Sequence, residues 1–278
     1  MPSPRHEEAT TGAVSTAVHR AADLLLAATN SGQPCPPVRE LFADGDIEAA
    51  YAVQRLTTER AVAAGHRLVG RKIGLTSLAV QRQLGVDQPD FGALLSHMAV
   101  PHAGLVPAGR LLQPRVEAEV ALVLRADLPD PGCTVEDVVA ATEFAVPALE
   151  IVDSRIDGWD ISIVDTIADN ASSGLFVLGE ERVTPGQVDL SSVRMTLSRN
   201  DEPVSAGSGA DCLGGPLNAS VWLASTLARM GDPLRAGDIV LTGALGPMVT
   251  AEAGDVFATE ISGLGTARIR FGTEGERA

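Results

Sequence analysis

A chain of 278 residues that is 45% hydrophobic can bury a sizeable core, as one large domain or a domain with a smaller attachment. Its net charge of −15 and pI of about 4.7 exclude a basic surface for nucleic acid or for an anionic membrane. No apolar run reaches the roughly 18 residues of a membrane span and no signal-peptide core opens the chain. Cys35, Cys133 and Cys212 lack C-x-x-C spacing, so a reducing cytoplasm is expected.

Residues 1–12 are polar and are expected to be a mobile tail. Apolar positions at helical spacing predict a helix from Val14 to Ala28, ended by Asn30-Ser31-Gly32. After a Pro-rich link, Asp46 caps a second helix, Ile47 to Ala64, with Gly65 as its stop. Residues 13–66 thus read as a small helical N-terminal part, ahead of a catalytic domain over 67–273. A short strand follows at Leu68–Leu75, then Thr76-Ser77, a brief helix through Leu84 and a loop from Gly85 to Phe91. The stretch 94–106 is mixed, and Arg115 to Leu124 is a strand.

Thr134, with Asp137 in the capping-box position, opens a helix to about Ala145, and Pro147 separates it from an apolar strand ending at Asp153. A helix is expected over Ile156–Asn170, a strand over Leu175–Gly179, and a hairpin from Val193–Ser198 and Pro203–Ser208 about Asn200-Asp201. Pro216 opens a helix to Met230, closed by Gly231, before strands at Ile239–Thr242, Val256–Ile261 and Ala267–Phe271. Strands outnumber helices after Lys72 and do not alternate with them, which predicts α+β rather than a doubly wound α/β sheet.

Residues two apart in a strand share a face, so Glu117 and Glu119 aim into one space while Val116, Ala118 and Val120 face away. Paired carboxylates in an apolar strand require water, a proton or a cation. Glu150 interrupts the second apolar strand, and if the strands are neighbours three carboxylates converge. An all-oxygen set suits magnesium or manganese better than zinc. The alternative is a hydrated, solvent-facing strand face.

Lys72 is the only lysine beside 20 arginines. Near carboxylates it could give or take a proton, or else form a salt bridge. The acidic loop 86–92 lines a site or is a capped turn. Asp165–Gly174 is a site segment or helix-end chemistry, and Gly243–Met248 offers backbone N–H groups or is only a turn. The loops of nucleotide binding, of zincins and of serine hydrolases are absent, and the five histidines show no metal-ligand spacing.

Gly70–Thr76, Gln83–Gly92, Leu112–Glu119, Pro147–Glu150, Asp165–Gly174, Pro216–Ala219 and Leu241–Met248, running in order, resemble the 2-keto-4-pentenoate hydratase family within the fumarylacetoacetate hydrolase-like superfamily. The resemblance implies a mixed β-sheet, β-roll core. It also implies a metal-dependent hydratase that converts 2-hydroxypenta-2,4-dienoate, the enol of 2-oxopent-4-enoate, into 4-hydroxy-2-oxopentanoate during breakdown of aromatic compounds. It places Mg2+ or Mn2+ on Glu117, Glu119 and Glu150, an active-site lysine at Lys72, a loop aspartate at Asp90 and a site serine at Ser172, with Leu245 and Gly246 available to hold substrate. It further implies a homo-oligomer, a pentamer or a multiple of one, with a small 2-oxo or 2-hydroxydienoate substrate and neither nucleic acid nor membrane as partner. The nearest rival is the sister decarboxylase of 2-oxohex-3-enedioate; a fumarylacetoacetate-type hydrolase and a silent partner of another pathway enzyme fit less well.

Overall fold

The computed structural model describes residues 4–77, 81, 86 and 88–276, residues 4–13 by backbone alone. Two helices come first, α1 (Pro4–Ser31) and α2 (Ile47–Ala63), and the side chain of Asp46 caps the second by accepting from Ala49 N–H. Helix α1 begins at Pro4, where a polar tail was expected, and residues 1–3 lie outside the described residues. The brief helix expected through Leu84, apart from residue 81, and residues 85 and 87 of the loop after it also fall outside them.

Strands β1 (Leu68–Gly74), β2 (Asp90–Leu95), β3 (Ala99–Val100), β4 (Gly104–Val106) and β5 (Pro114–Leu124) follow. Next come α3 (Val135–Ala141), β6 (Thr142–Asp153), α4 (Ile163–Ala168) and β7 (Ser173–Leu178). The chain ends with β8 (Arg194–Arg199), β9 (Glu202–Ser208), α5 (Pro216–Arg229), β10 (Ile239–Ala244), β11 (Val249–Thr250), β12 (Val256–Ile261) and β13 (Gly265–Phe271). Among the described residues these strands form an eight-stranded sheet, β2-β1-β10-β5-β6-β7-β3 with β11 on β5, and a five-stranded sheet, β4-β13-β12-β8-β9. The expected α+β class holds, with parallel and antiparallel pairs mixed in both sheets.

Two expectations fail for identifiable reasons. Strand β6 starts at Thr142 and runs through Pro147, which pairs with Val120 of β5, so the α3 helix stops earlier than its apolar spacing suggests. Eleven paired positions along β5 outweigh the local preference for helix. The helix expected over Ile156–Asn170 shrinks to α4, because Gly158 and Trp159 take left-handed φ of 61° and 58° and break the chain ahead of the Ser162 cap.

The cores explain where the site lies. Val116, Ala118, Val120 and Leu122 of β5 and Leu149 and Ile151 of β6 bury into the main core, together with residues of the five-stranded sheet and α5. The opposite face carries an apolar cluster including Ala121, Val146, Ala148, Phe176 and Leu241. That same face continues into Glu119, Glu117 and Glu150. The N-terminal helices share their core with Ile156, Val164 and Ile167, so α1 and α2 are packed onto the segment that follows β6.

Candidate metal centre and active site

The register sets Glu117 directly opposite Glu150 across the β5–β6 ladder, and parity places Glu119 on the same face. One carboxylate oxygen from each of the three lies within 4.8 Å of the others. Glu119 and Glu150 are fully buried and Glu117 is half-buried, so the cluster opens outward along β5. From β1, three strands away from β6, Lys72 reaches across β10 and β5 to place Nζ 3.1 Å from Glu150 Oε1. Glu119 Oε2 accepts the Gly243 N–H at 2.8 Å.

Asp90 stands at the start of β2 rather than in a loop. Its Oδ2 accepts a hydrogen bond from Thr166 Oγ1 at 3.4 Å, and Thr166 Oγ1 lies 3.5 Å from Ser172 Oγ. Gly74 makes the space: a Cβ there would collide with the Asp90 carboxylate and sit 3.6 Å from Lys72 Nζ. Five expected residues, Lys72, Asp90, Glu117, Glu119 and Glu150, therefore meet in one buried cluster, with Ser172 joined through Thr166. Leu245 does not join as a donor. Its side chain enters the main core, its N–H donates to Ala118 O, and its C=O accepts from Ser208 N–H. Gly246 lies half-buried beside it at the bend.

The electrostatics describe a cluster short of positive charge. Burial, then the Glu150 charge, pushes Glu117 up to about 7, while Lys72 and Arg115 pull the other way. Burial, Glu150 and Glu117 hold Glu119 well above the carboxylate range despite the Gly243 N–H. Asp90 is also raised, by burial first and then Glu150, against the opposing charge of Lys72. Burial alone would lower Lys72, but Glu150, Asp90, Glu117 and Glu119 together hold it above its ordinary range. Glu119 Oε1, both oxygens of Glu150 and Asp90 Oδ1 are buried without a directed hydrogen bond. Buried carboxylate oxygens left unsatisfied, all hard donors, fit a divalent cation.

Three contributors were not singled out from sequence. Tyr51 of α2 stacks on Phe91 at 4.7 Å and is raised by burial and by the Asp90 charge, so the N-terminal helices wall this side of the site. Gln54, one turn on, donates to Phe91 O at 2.8 Å and Ile167 O at 3.0 Å, tying β2 to α4. Thr166 lay inside a segment singled out as polar, but only the fold brings it to Asp90. Three polar residues of that segment are architectural: Asp165 holds Ser162 N–H and Arg39, Asp169 pairs with Arg155, and Asn170 brackets the Ala93 backbone.

Residues 70–271 match the family model described as fumarylacetoacetate (FAA) hydrolase C-terminal, and the chain belongs to that family. Within it, the chain belongs with the 2-keto-4-pentenoate hydratases. It is 57% identical to 2-keto-4-pentenoate hydratase 2 of Dechloromonas aromatica over 251 residues, covering 90% of this chain and 96% of the relative. It is 54% identical to the 2-keto-4-pentenoate hydratase of Paraburkholderia xenovorans, covering 90% and 93%. Among solved structures, 4-oxalocrotonate decarboxylase from Pseudomonas putida G7, complexed with magnesium and adipate, superposes with a TM-score of 0.88 at 34% identity, covering 92% of this chain and 97% of that one. No helix among the described residues is long and apolar enough to cross a membrane.

Proposed function

We propose that this chain is a metal-dependent hydro-lyase that converts 2-hydroxypenta-2,4-dienoate into 4-hydroxy-2-oxopentanoate in the breakdown of aromatic compounds, working in the cytoplasm as a homo-oligomer. The observation that carries the reading is the convergence of Glu117, Glu119 and Glu150 with Lys72 and Asp90, in a chain more than half identical to named hydratases. Glu117, Glu119 and Glu150 would hold magnesium or manganese. Bound there, the ion supplies Lewis-acid charge for the negative charge that develops on the 2-oxygen of the substrate.

The residues of the chain supply the proton traffic. The dienol loses its hydroxyl proton and gains one at C5, giving a conjugated enone; water then adds hydroxyl at C4 and a proton at C3. Lys72 is protonated, and a cation held by the three acids would offset the negative charge that raises its proton affinity, which suits it to donate a proton. Asp90 carries a buried oxygen, Oδ1, with no hydrogen-bond donor, and its raised proton affinity suits it to take the proton of the attacking water. Thr166 steadies the other oxygen of Asp90, and Ser172 with the bend at Gly246 would position the substrate or that water.

The test is the loss of dienol ultraviolet absorbance for 2-hydroxypenta-2,4-dienoate with chelated protein, with and without magnesium or manganese, and identification of the product. Metal-dependent formation of 4-hydroxy-2-oxopentanoate supports the reading. Turnover of 2-oxohex-3-enedioate with carbon dioxide release, and none of the dienoate, would move the assignment to decarboxylation.

A further inference from the structure

Arg115 lies two residues before Glu117, on the same face of β5, where burial gives way from Glu119 outward. It is therefore a half-buried cation on the face of β5 that carries the acids, at the end where that face opens outward. Its guanidinium carbon stands 4.2 Å from the centre of the Trp159 ring. One N–H edge faces Met248 Sδ at 4.0 Å, a weak acceptor on the exposed bend after Gly246. Among the described residues it forms no ion pair, whereas Lys72 is committed to Glu150.

The support beneath it is built. Trp159 adopts a left-handed backbone, φ 58°, uncommon for a bulky residue, and its Nε1–H donates to Gln113 O at 3.1 Å, which fixes the ring beside β5. A planar guanidinium stacked on an aromatic face keeps its N–H edge free for a flat anion. The substrate is such an anion, and a carboxylate has lone pairs enough to meet both an arginine and a second cation.

We propose that Arg115 is a specificity-determining residue that receives the carboxylate of an incoming 2-oxo acid at the open end of this face. The inference rests on reading the site as one for 2-oxo acids. It assigns Trp159 as the platform that holds the guanidinium in place and Met248 as its flank.

The experiment is calorimetric titration of the magnesium-loaded protein with 2-oxopentanoate, with its neutral amide 2-oxopentanamide, and with 2-oxohexanedioate. Wild type is compared with Arg115→Gln and Arg115→Lys. Arg115→Gln should weaken 2-oxopentanoate about ten- to a hundredfold, the loss of a charge-assisted hydrogen bond. It should leave the amide within about twofold, and Arg115→Lys should fall between. Magnesium affinity should be kept in Arg115→Lys and change by no more than a few-fold in Arg115→Gln, whose lost charge acts weakly on Glu117, which separates an effect on the substrate from one on the fold. In turnover the loss should appear in KM and not in kcat.

Equal weakening of acid and amide would make Arg115 a packing residue and overturn the proposal, as would unchanged binding of 2-oxopentanoate or a wild type that binds neither ligand. A loss confined to 2-oxohexanedioate would also overturn it, by moving Arg115 to a distal carboxylate. If wild type binds 2-oxopentanoate through Arg115 yet leaves the dienoate unchanged, the hydratase reading fails and this inference stands.

Discussion

Removing the metal should make the folded protein less stable as pH rises, and the carboxylate cluster sets the size of the effect. Glu117 is pushed from 4.5 up to about 7. A carboxyl raised in the folded state keeps an extra proton there, so its contribution is fully present below about 4.5 and is lost as pH rises through 7. The shift corresponds to about 3 kcal/mol. Glu119 and Asp90 are raised in the same direction and add to it. Urea unfolding of chelated protein should therefore give a stability that falls between pH 5.5 and pH 8.

A cation on the three acids replaces those protons, so saturating magnesium should flatten this dependence. Calorimetry in two buffers of different ionisation enthalpy should show proton release on binding below pH 7, with affinity falling about tenfold per pH unit for each proton displaced. Chelated protein whose stability is level or rises over this window, or magnesium binding that releases no proton, would refute the account of a charge-starved cluster.

Lys72→Met should lower turnover about a hundred- to ten-thousandfold, read as loss of dienol absorbance, because it removes the one lysine that reaches the acids. Gly74→Ala should lower turnover about a hundredfold by displacing the Asp90 carboxylate, while calorimetry finds magnesium binding retained. Gln54→Leu removes the buried hydrogen bonds to the carbonyls of Phe91 and Ile167, and urea denaturation should register a loss of about 1–3 kcal/mol.

The convergence of the three acids was readable because a strand has a period of two. Glu117 and Glu119 had to share a face, and a third acid in an equally apolar strand had few apolar reasons to be there. Helices α2 and α5 were readable for a similar local reason, since Asp46 and Pro216 mark their starts by chemistry confined to one turn. The Asn200-Asp201 hairpin belongs with them, because both residues take the positive φ that a tight turn demands. Where non-local pairing competes with local preference, the local signal misleads. Thr142, Phe144 and Ala145 fall within the expected helix yet pair with β5, and Pro147 sits inside that strand instead of ahead of it.

The sequence by itself determined the class of fold and that the acids of β5 share a face near a lone lysine, because these follow from residue type and short-range periodicity. Only the tertiary structure decided that Glu117 faces Glu150, that Tyr51 and Gln54 of an N-terminal helix support Asp90, that the backbone of Leu245 is already committed, and that Arg115 rests on Trp159 at the open end of the acid-bearing face. Each of these joins residues tens of positions apart. Such contacts depend on strand order and register, which are settled by the packing of whole faces against one another.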